Sequence, residues 1–514
     1  MGKVSKVFYI SLVISLLFII WGIMPDDIVG DWTLENVTAN VQGFLVDKFG
    51  WFYLLSATAF LIFAIFLVAS KYGNIVLGKD TDKPEYSYLT WFAMLFSAGM
   101  GIGLVFWGAA EPISHFHNPP EMGLEEEDTA KLALRYSFFH WGLHPWAIYS
   151  ILALALAYFQ FRKESPGLIS SILEPLFGDR MKGGWGTAVN FIAVFATIFG
   201  VATSLGLGAQ QINGGIGFLF HDVETSMGLQ LIIIAIVTVL FLFSAMTGLN
   251  KGIRILSNTN ILLAILLMVF LLFAAPTNFI MDLFTTTLGS YVQNLPSMSF
   301  RMTPFDENST WVQDWTIFYW AWWIAWAPFV GTFIARVSRG RTVREFILGV
   351  LLVPTIFGAL WFTVFGGAGI SLEYYQGLNI IDIINEQGNE IALFTVLQEF
   401  PISVITSTLA ILLISCFFIT SADSATFVLG MQTTNGELNP GKQVKFVWGI
   451  IQSATAAVLL WQGGLGALQT ASIIAAFPFT FILLLVIFSL LKEFDEEAKH
   501  YPLQRRKRHA QKQE

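Results

Sequence analysis

The chain is poor in everything that a secreted or soluble enzyme relies on. It has one cysteine, Cys416, inside an apolar run, so no intrachain disulfide can form. Only 12% of its residues are charged, against about 25% in ordinary soluble domains. Apolar runs lack the alternation of strands and many exceed about 18 residues, which excludes a β-barrel and indicates a helical membrane protein. The opening MGKVSK leads into a long apolar run without a small-residue cleavage site, so it reads as a first span and not as a removed signal. No Ser-His-Asp set, histidine-rich metal spacing or nucleotide motif stands out, which argues against an enzyme. No filter-like loop repeats, which argues against an ion channel. The formal net charge of −8 is uninformative because the signs are segregated along the chain.

What is present is about twelve apolar runs, near 8–25, 51–70, 88–110, 132–161, 186–218, 228–248, 258–278, 312–337, 344–370, 401–430, 444–461 and 467–491. The stretch 280–308 mixes polar and apolar residues and reads as an amphipathic surface helix. If the N-terminus is cytoplasmic, 24 of the 28 Lys and Arg fall inside, leaving Lys48, Lys131, Arg135 and Arg301 outside. That asymmetry supports the span count and puts both termini in the cytoplasm.

Aromatics are concentrated where a membrane helix rarely keeps them. Trp315, Trp320, Trp322, Trp323 and Trp326 fall within twelve residues, lining adjoining faces of one helix with rings. Interface Trp normally sit at span ends. A row through the span suits a cation without hydrogen-bond donors, held by cation–π contact at about 0.5–2 kcal/mol per ring; aromatic packing with interface anchoring is the alternative. The fourth span, HWGLHPWAIYS, adds Trp141, Trp146 and Tyr149, and Pro145 is expected to interrupt its hydrogen-bond ladder. His140 and His144 read as the only imidazoles in a span, more naturally core histidines than a proton relay. In the third span Gly99, Gly101 and Gly103 surround Met100 and Ile102: either close helix packing or an unwound segment lining a midplane site. The tenth span carries Thr420, Ser421, Asp423 and Ser424, whose hydroxyls bond back to carbonyls or complete an oxygen shell for a small hard cation.

These residues together resemble the betaine–choline–carnitine transporter family, on GMGIG followed by FWGAAEP (Gly99 to Pro112), HWGLHPWAIY (His140 to Tyr149), and YWAWWIAWAPFVG followed by IARVSRGR. The match runs from the first span to the twelfth. The resemblance implies an all-α integral membrane protein with two inverted five-helix repeats (LeuT-like) plus two peripheral N-terminal helices. The chain then divides into 1–87, an N-terminal segment with spans one and two; 88–278, the first repeat; 279–311, a periplasmic surface helix; 312–491, the second repeat; and 492–514, a cytoplasmic charged tail. It implies a homotrimer with the 280–308 helix at protomer contacts, and a bacterial inner membrane location.

Carried over by motif, the family's aromatic box falls on Trp141, Trp146, Tyr149 and Trp323, with Trp326, Met100, Gly101 and Gly103 completing the substrate site. Trp315 and Trp320 look like a further site on the cytoplasmic path. The core sodium site falls on carbonyls near Ser97, Met100 and Phe417 and on the hydroxyls of Thr420 and Ser421. A second sodium falls near Thr197 and Phe329; Val201 stands where a second hydroxyl belongs one turn on, with Thr203 as its substitute. Choline-taking relatives tend to have Asp at the fifth glycine-stretch position, which is Gly103 here. The resemblance therefore implies a sodium symporter of glycine betaine or a similar osmolyte, with a proton-coupled choline or carnitine transporter as the alternative. No cofactor beyond sodium as coupling ion, and no nucleic acid, is expected. Besides substrate, sodium and bulk lipid, the partners include anionic lipid near the basic Arg505–Arg508 tail, which can gain about 1 kcal/mol per charge at an anionic leaflet.

Overall fold

The computed structural model describes residues 4–511 except 100, 221–222, 248–249 and 306–308; the side chains of 26, 96–99, 247, 250–254 and 500–511 also lie outside the description. About 85% of the chain is helical, and among the described residues no strand occurs, only an isolated bridge between Val76 and Thr342. The long helices are α1 Lys6–Ile23, α2 Leu34–Ala69, α3 Tyr88–Gly99, α4 Ile102–His117, α5 Glu126–Trp141, α6 Leu143–Ala157, α7 Gly184–Leu219, α8 Met227–Thr247, α9 Asn250–Ala274, α10 Thr277–Ser299, α11 Phe318–Val337, α12 Val343–Gln376, α13 Ser403–Thr433 and α14 Lys442–Gln511.

Among the described residues, ten helical stretches are long and apolar enough to cross a membrane. The difference from the twelve apolar runs has two causes. The run 88–110 is split into α3 and α4, neither long enough alone. The runs 444–461 and 467–491 share α14, which is broken only at Gly463 and Gly464. Gly464 adopts φ 55°, ψ −135°, a conformation that a side chain resists, and this reverses the chain without a loop. The reversal is visible in the partners: Gln462 donates to Gly22 O at the turn, while Trp448 on one arm donates to Thr433 and Lys163 pairs with Glu493 on the other, both at the opposite end of the bundle.

Local sequence explains other boundaries. α12 starts on a capping box: the Thr342 hydroxyl accepts from Glu345 N at 3.2 Å, and the Glu345 carboxylate accepts from Thr342 N at 2.9 Å. It ends at Gly377, whose left-handed φ of 66° suits glycine. α10 is the expected amphipathic helix. Ile280, Leu283, Thr287 and Tyr291 recur at helical spacing on its buried face, which packs on α5 and α12. The centre of the bundle is α7, against α14, α13 and α11, with α11 lying along α6.

Because Gly464 supplies the positive φ of this turn, Gly464→Ala is expected to destabilise the protein by roughly 1–3 kcal/mol. A lower unfolding midpoint of the detergent-purified variant, with Gly466→Ala (no atom within 4 Å of its added Cβ) as the neutral control, is the check.

Candidate substrate and ion site

Two helix breaks bring the site together. The first follows Gly99: Gly101 is extended at φ −142°, ψ −146°, and α4 resumes at Ile102. The helix is therefore interrupted within the glycine stretch, at Gly101, which is not merely part of a packing stripe. The second break is at Gly142, φ −100°, ψ −129°, between Trp141 and Trp146. Sequence reasoning assigned this interruption to Pro145, but Pro145 lies in the first turn of α6, where its missing N–H costs no ladder bond. Gly142 is required sterically: a Cβ there would lie 2.4 Å from Phe138 O and 2.8 Å from the Tyr291 hydroxyl. Leu143 N, freed by the break, donates to that hydroxyl at 3.0 Å.

Around the second break the rings form a cage. Trp323 meets Trp141 edge-on at 5.0 Å and 89°, and Tyr149 at 5.4 Å and 80°. Trp146 meets Tyr149 at 5.6 Å and 82°. The Trp323 indole donates to His140 O at 3.0 Å, which fixes its tilt. Trp322 backs the cage, 5.8 Å from Trp323 and 6.4 Å from Trp326. All these rings are buried. The indole N–H of Trp146, Trp322 and Trp326 and the Tyr149 hydroxyl are buried without a protein partner, so the same rings that offer π-faces to a cation offer donors to an anion.

The glycines face this cage. A Cβ on Gly101 would be 3.5 Å from Trp326 and 3.7 Å from the Ser421 hydroxyl; one on Gly103 would be 2.4 Å from Trp322 and 3.1 Å from Trp141. Any side chain at 103 thus displaces Trp322. Met100 and the Ser97 side chain lie outside the described residues. Of the remaining core ion candidates, Phe417 is buried and Thr420 Oγ1 bonds Cys416 O at 2.9 Å while accepting from Asn260 at 3.2 Å. Ser421 adjoins the break through Gly101. At the second expected ion position, Thr197 Oγ1 donates to Ala193 O at 2.8 Å, and Phe329 stacks edge-on with Trp326 at 5.4 Å. Thr203 does not stand in for the missing hydroxyl: its oxygen is held by Phe199 O, Leu468 O and Ser472 Oγ, all within 2.9 Å, and ties α7 to α14. Asp423 accepts from the Ser244 hydroxyl at 2.8 Å in a cavity of about 370 Å³ that Arg336 and Lys445 also line.

Trp315 and Trp320 are expected on a cytoplasmic path. They stand at the start of α11, opposite the arginine end, with Trp315 4.4 Å from His115 and Trp320 stacked on His144 at 5.2 Å and 19°. The aromatic row of α11 reads the same from either end; the arginines after Ala335 set its direction. His140 and His144 are not the only imidazoles in the spans, because His115 is buried in α4. Most importantly, sequence reasoning passed over Glu111, which is 0% exposed. Its carboxylate accepts from Trp141 Nε1 (2.8 Å), Tyr319 OH (2.6 Å), His140 Nδ1 (2.7 Å) and His115 Nε2 (3.2 Å). An ionisable residue within a span was the signal available for it. Ligand atoms of Glu111, His115 and His140 lie within 4.8 Å of one another, close enough to share a metal ion, but their hydrogens are committed to each other.

This arrangement, a ring cage between two unwound glycine breaks in a multi-pass helical bundle, suits a transporter, and the comparisons agree. The family model described as "BCCT, betaine/carnitine/choline family transporter" matches residues 6–499. The chain is 54% identical over 498 residues to the glycine betaine transporter OpuD of Bacillus subtilis (strain 168), covering 96% of this chain and 95% of the relative. It is 47% identical to a probable glycine betaine transporter of Desulfitobacterium hafniense (strain Y51), covering 95% and 97%. It is 46% identical to an ectoine/hydroxyectoine transporter of Virgibacillus pantothenticus, covering 96% and 97%. The chain is a multi-pass membrane transporter and not an enzyme, and it belongs to the betaine/carnitine/choline transporter family.

Proposed function

We propose that the chain is a sodium-coupled symporter that imports glycine betaine, or a zwitterion of similar shape, as an osmolyte. The observation that carries this reading is the cage: buried π-faces for a quaternary ammonium stand beside four buried donors without protein partners for a carboxylate. A bare cation would leave those donors unserved. Glycine at 103, with Trp322 in the space of a side chain, also disfavours a carboxylate there that would attract choline. Sodium coupling is supported by the oxygens of Phe417, Thr420 and Ser421 beside an unwound helix, a hard-cation environment. The second ion position has Thr197 and Phe329 without a second hydroxyl, which favours one well-formed sodium site.

Residues 88–278 and 312–491 are taken as inverted repeats that rock about the cage. The bacterial inner membrane holds the protein as a homotrimer, with α10 at protomer contacts and both termini cytoplasmic, the basic 505–508 tail against anionic lipid. The tail's side chains lie outside the described residues. A second reading, proton coupling, is favoured by one observation, the Glu111–His115–His140 cluster beside the cage. Uptake of radiolabelled glycine betaine into proteoliposomes separates them: a sodium gradient without a pH gradient drives the first, and the reverse drives the second.

Trp323→Leu removes a cage wall and is expected to reduce glycine betaine uptake by about tenfold or more while the protein elutes as folded. Wild-type uptake in that variant would exclude the cage. Thr420→Val removes one ion oxygen at nearly constant volume, so the sodium concentration for half-maximal uptake should rise by about tenfold, with expression unchanged. Equal uptake of wild type in sodium-free buffer would exclude the coupling. Gly103→Asp displaces Trp322, so glycine betaine uptake should fall while choline becomes a stronger competitor; a variant with unaltered choline inhibition would remove the specificity role from this position.

A further inference from the structure

We propose that Glu111 is the buried counter-charge of the cage, a positioning residue that acts on the substrate's ammonium through Trp141. The inference rests on the reading that the cage takes a quaternary ammonium, and it adds a specificity element outside the rings themselves.

Four groups converge on one carboxylate with no exposure. Oε2 accepts from the Trp141 indole at 2.8 Å and from the Tyr319 hydroxyl at 2.6 Å; Oε1 accepts from His140 Nδ1 at 2.7 Å and from His115 Nε2 at 3.2 Å. An indole N–H can only donate, and an ionised carboxylate can only accept, so two donors on each oxygen match the charged form. In neutral rings with those hydrogens turned inward, the far nitrogens are lone pairs. His140 Nε2 then accepts from the Thr316 hydroxyl at 2.9 Å. His115 Nδ1 is buried with no partner, which a lone pair tolerates better than an N–H would. With both rings in these neutral tautomers, the cluster keeps one negative charge. Among the described residues only histidines pair with Glu111; no Lys or Arg does.

Such a charge inside a membrane bundle is costly unless a cation balances it. The nearest place for one is the face of Trp141, which closes the cage against Trp323 at 5.0 Å. A carboxylate on an indole N–H pushes electron density toward the ring face and strengthens its attraction for a cation. The same bond fixes the ring at the Gly142 break, where the backbone alone does not hold it. Tyr319, stacked on His140 at 4.8 Å and 23°, braces the carboxylate from α11, so both halves of the cage are anchored to one group. Glu111 therefore makes the site select for charge as well as shape.

The test compares two ligands of one shape. Glycine betaine and tert-butylacetate differ only in nitrogen against carbon at the bulky end. Each competes with radiolabelled glycine betaine for the full-length protein in proteoliposomes, and the ratio of their inhibition constants reads the value of the ammonium charge. In wild type the ratio should strongly favour glycine betaine; a ratio near one would remove the cage reading itself and this inference with it. Glu111→Gln keeps size and is expected to lower the ratio by about tenfold, mainly by weakening glycine betaine. Equal weakening of both ligands would make Glu111 merely structural and overturn the proposal. If Glu111→Gln is not recovered folded, Trp141→Phe keeps Glu111 and a ring but removes the link. Its ratio should fall as well, and an unchanged ratio overturns the route through Trp141.

Discussion

A backbone N–H or C=O without a partner is prohibitive inside a membrane, and the site depends on two cage-lining interruptions of the helices, at Gly101 and Gly142. At Gly101 the extended backbone lies against Trp326 and Ser421; at Gly142 the Tyr291 hydroxyl takes the freed amide of Leu143. Everything specific to the site follows from these interruptions. They turn Trp141 and Trp146 around a common space and let a glycine backbone approach the rings of α11. They also leave oxygens of α13 beside an unwound segment. Apart from the turn of α14 at Gly463 and Gly464, the long helices elsewhere are continuous among the described residues and hold the two breaks at a fixed separation.

The aromatic row and the glycine break were legible in the sequence because both violate a local expectation: Trp belongs at span ends, and a membrane helix avoids three glycines in five residues. The break at Gly142 was not legible. One glycine is unremarked in a helix, and the conspicuous Pro145 drew the inference three residues too far. Glu111 was hidden for a different reason. Its partners come from α4, α5 and α11, so no spacing along the chain announces that Trp141, His140, His115 and Tyr319 share a carboxylate. Thr203 shows the converse: a hydroxyl near enough in sequence to be offered as a substitute, it is spent on Leu468 and Ser472 in a neighbouring helix. Residue type and spacing identify what a position can do; which neighbour it faces is decided by packing.

Burying a carboxylate beside a cation site and lining that site with indoles are complementary answers to one problem. A quaternary ammonium offers no hydrogens, so contact must come from π-faces, while the charge itself is balanced at a distance by a group it never touches. On the proposed reading, a zwitterion's carboxylate is repelled by Glu111 and left to the indole and phenol donors on the other rings, so that a field from one side and donors from the other would orient it.

The turn at Gly464 has a mechanical consequence. From there α14 runs as one rod to the Arg162–Glu497 and Lys163–Glu493 pairs, a length of roughly 50 Å at about 1.5 Å per residue, well beyond the ~30 Å hydrocarbon layer. A rod pivoting at one end magnifies rotation at the other: a tilt of about 5° at the glycine moves the far end by about 4 Å, the whole working range of an ion pair. The clasp outside the bilayer therefore has a coarse choice, closed or open, where the pivot sees only a slight rotation.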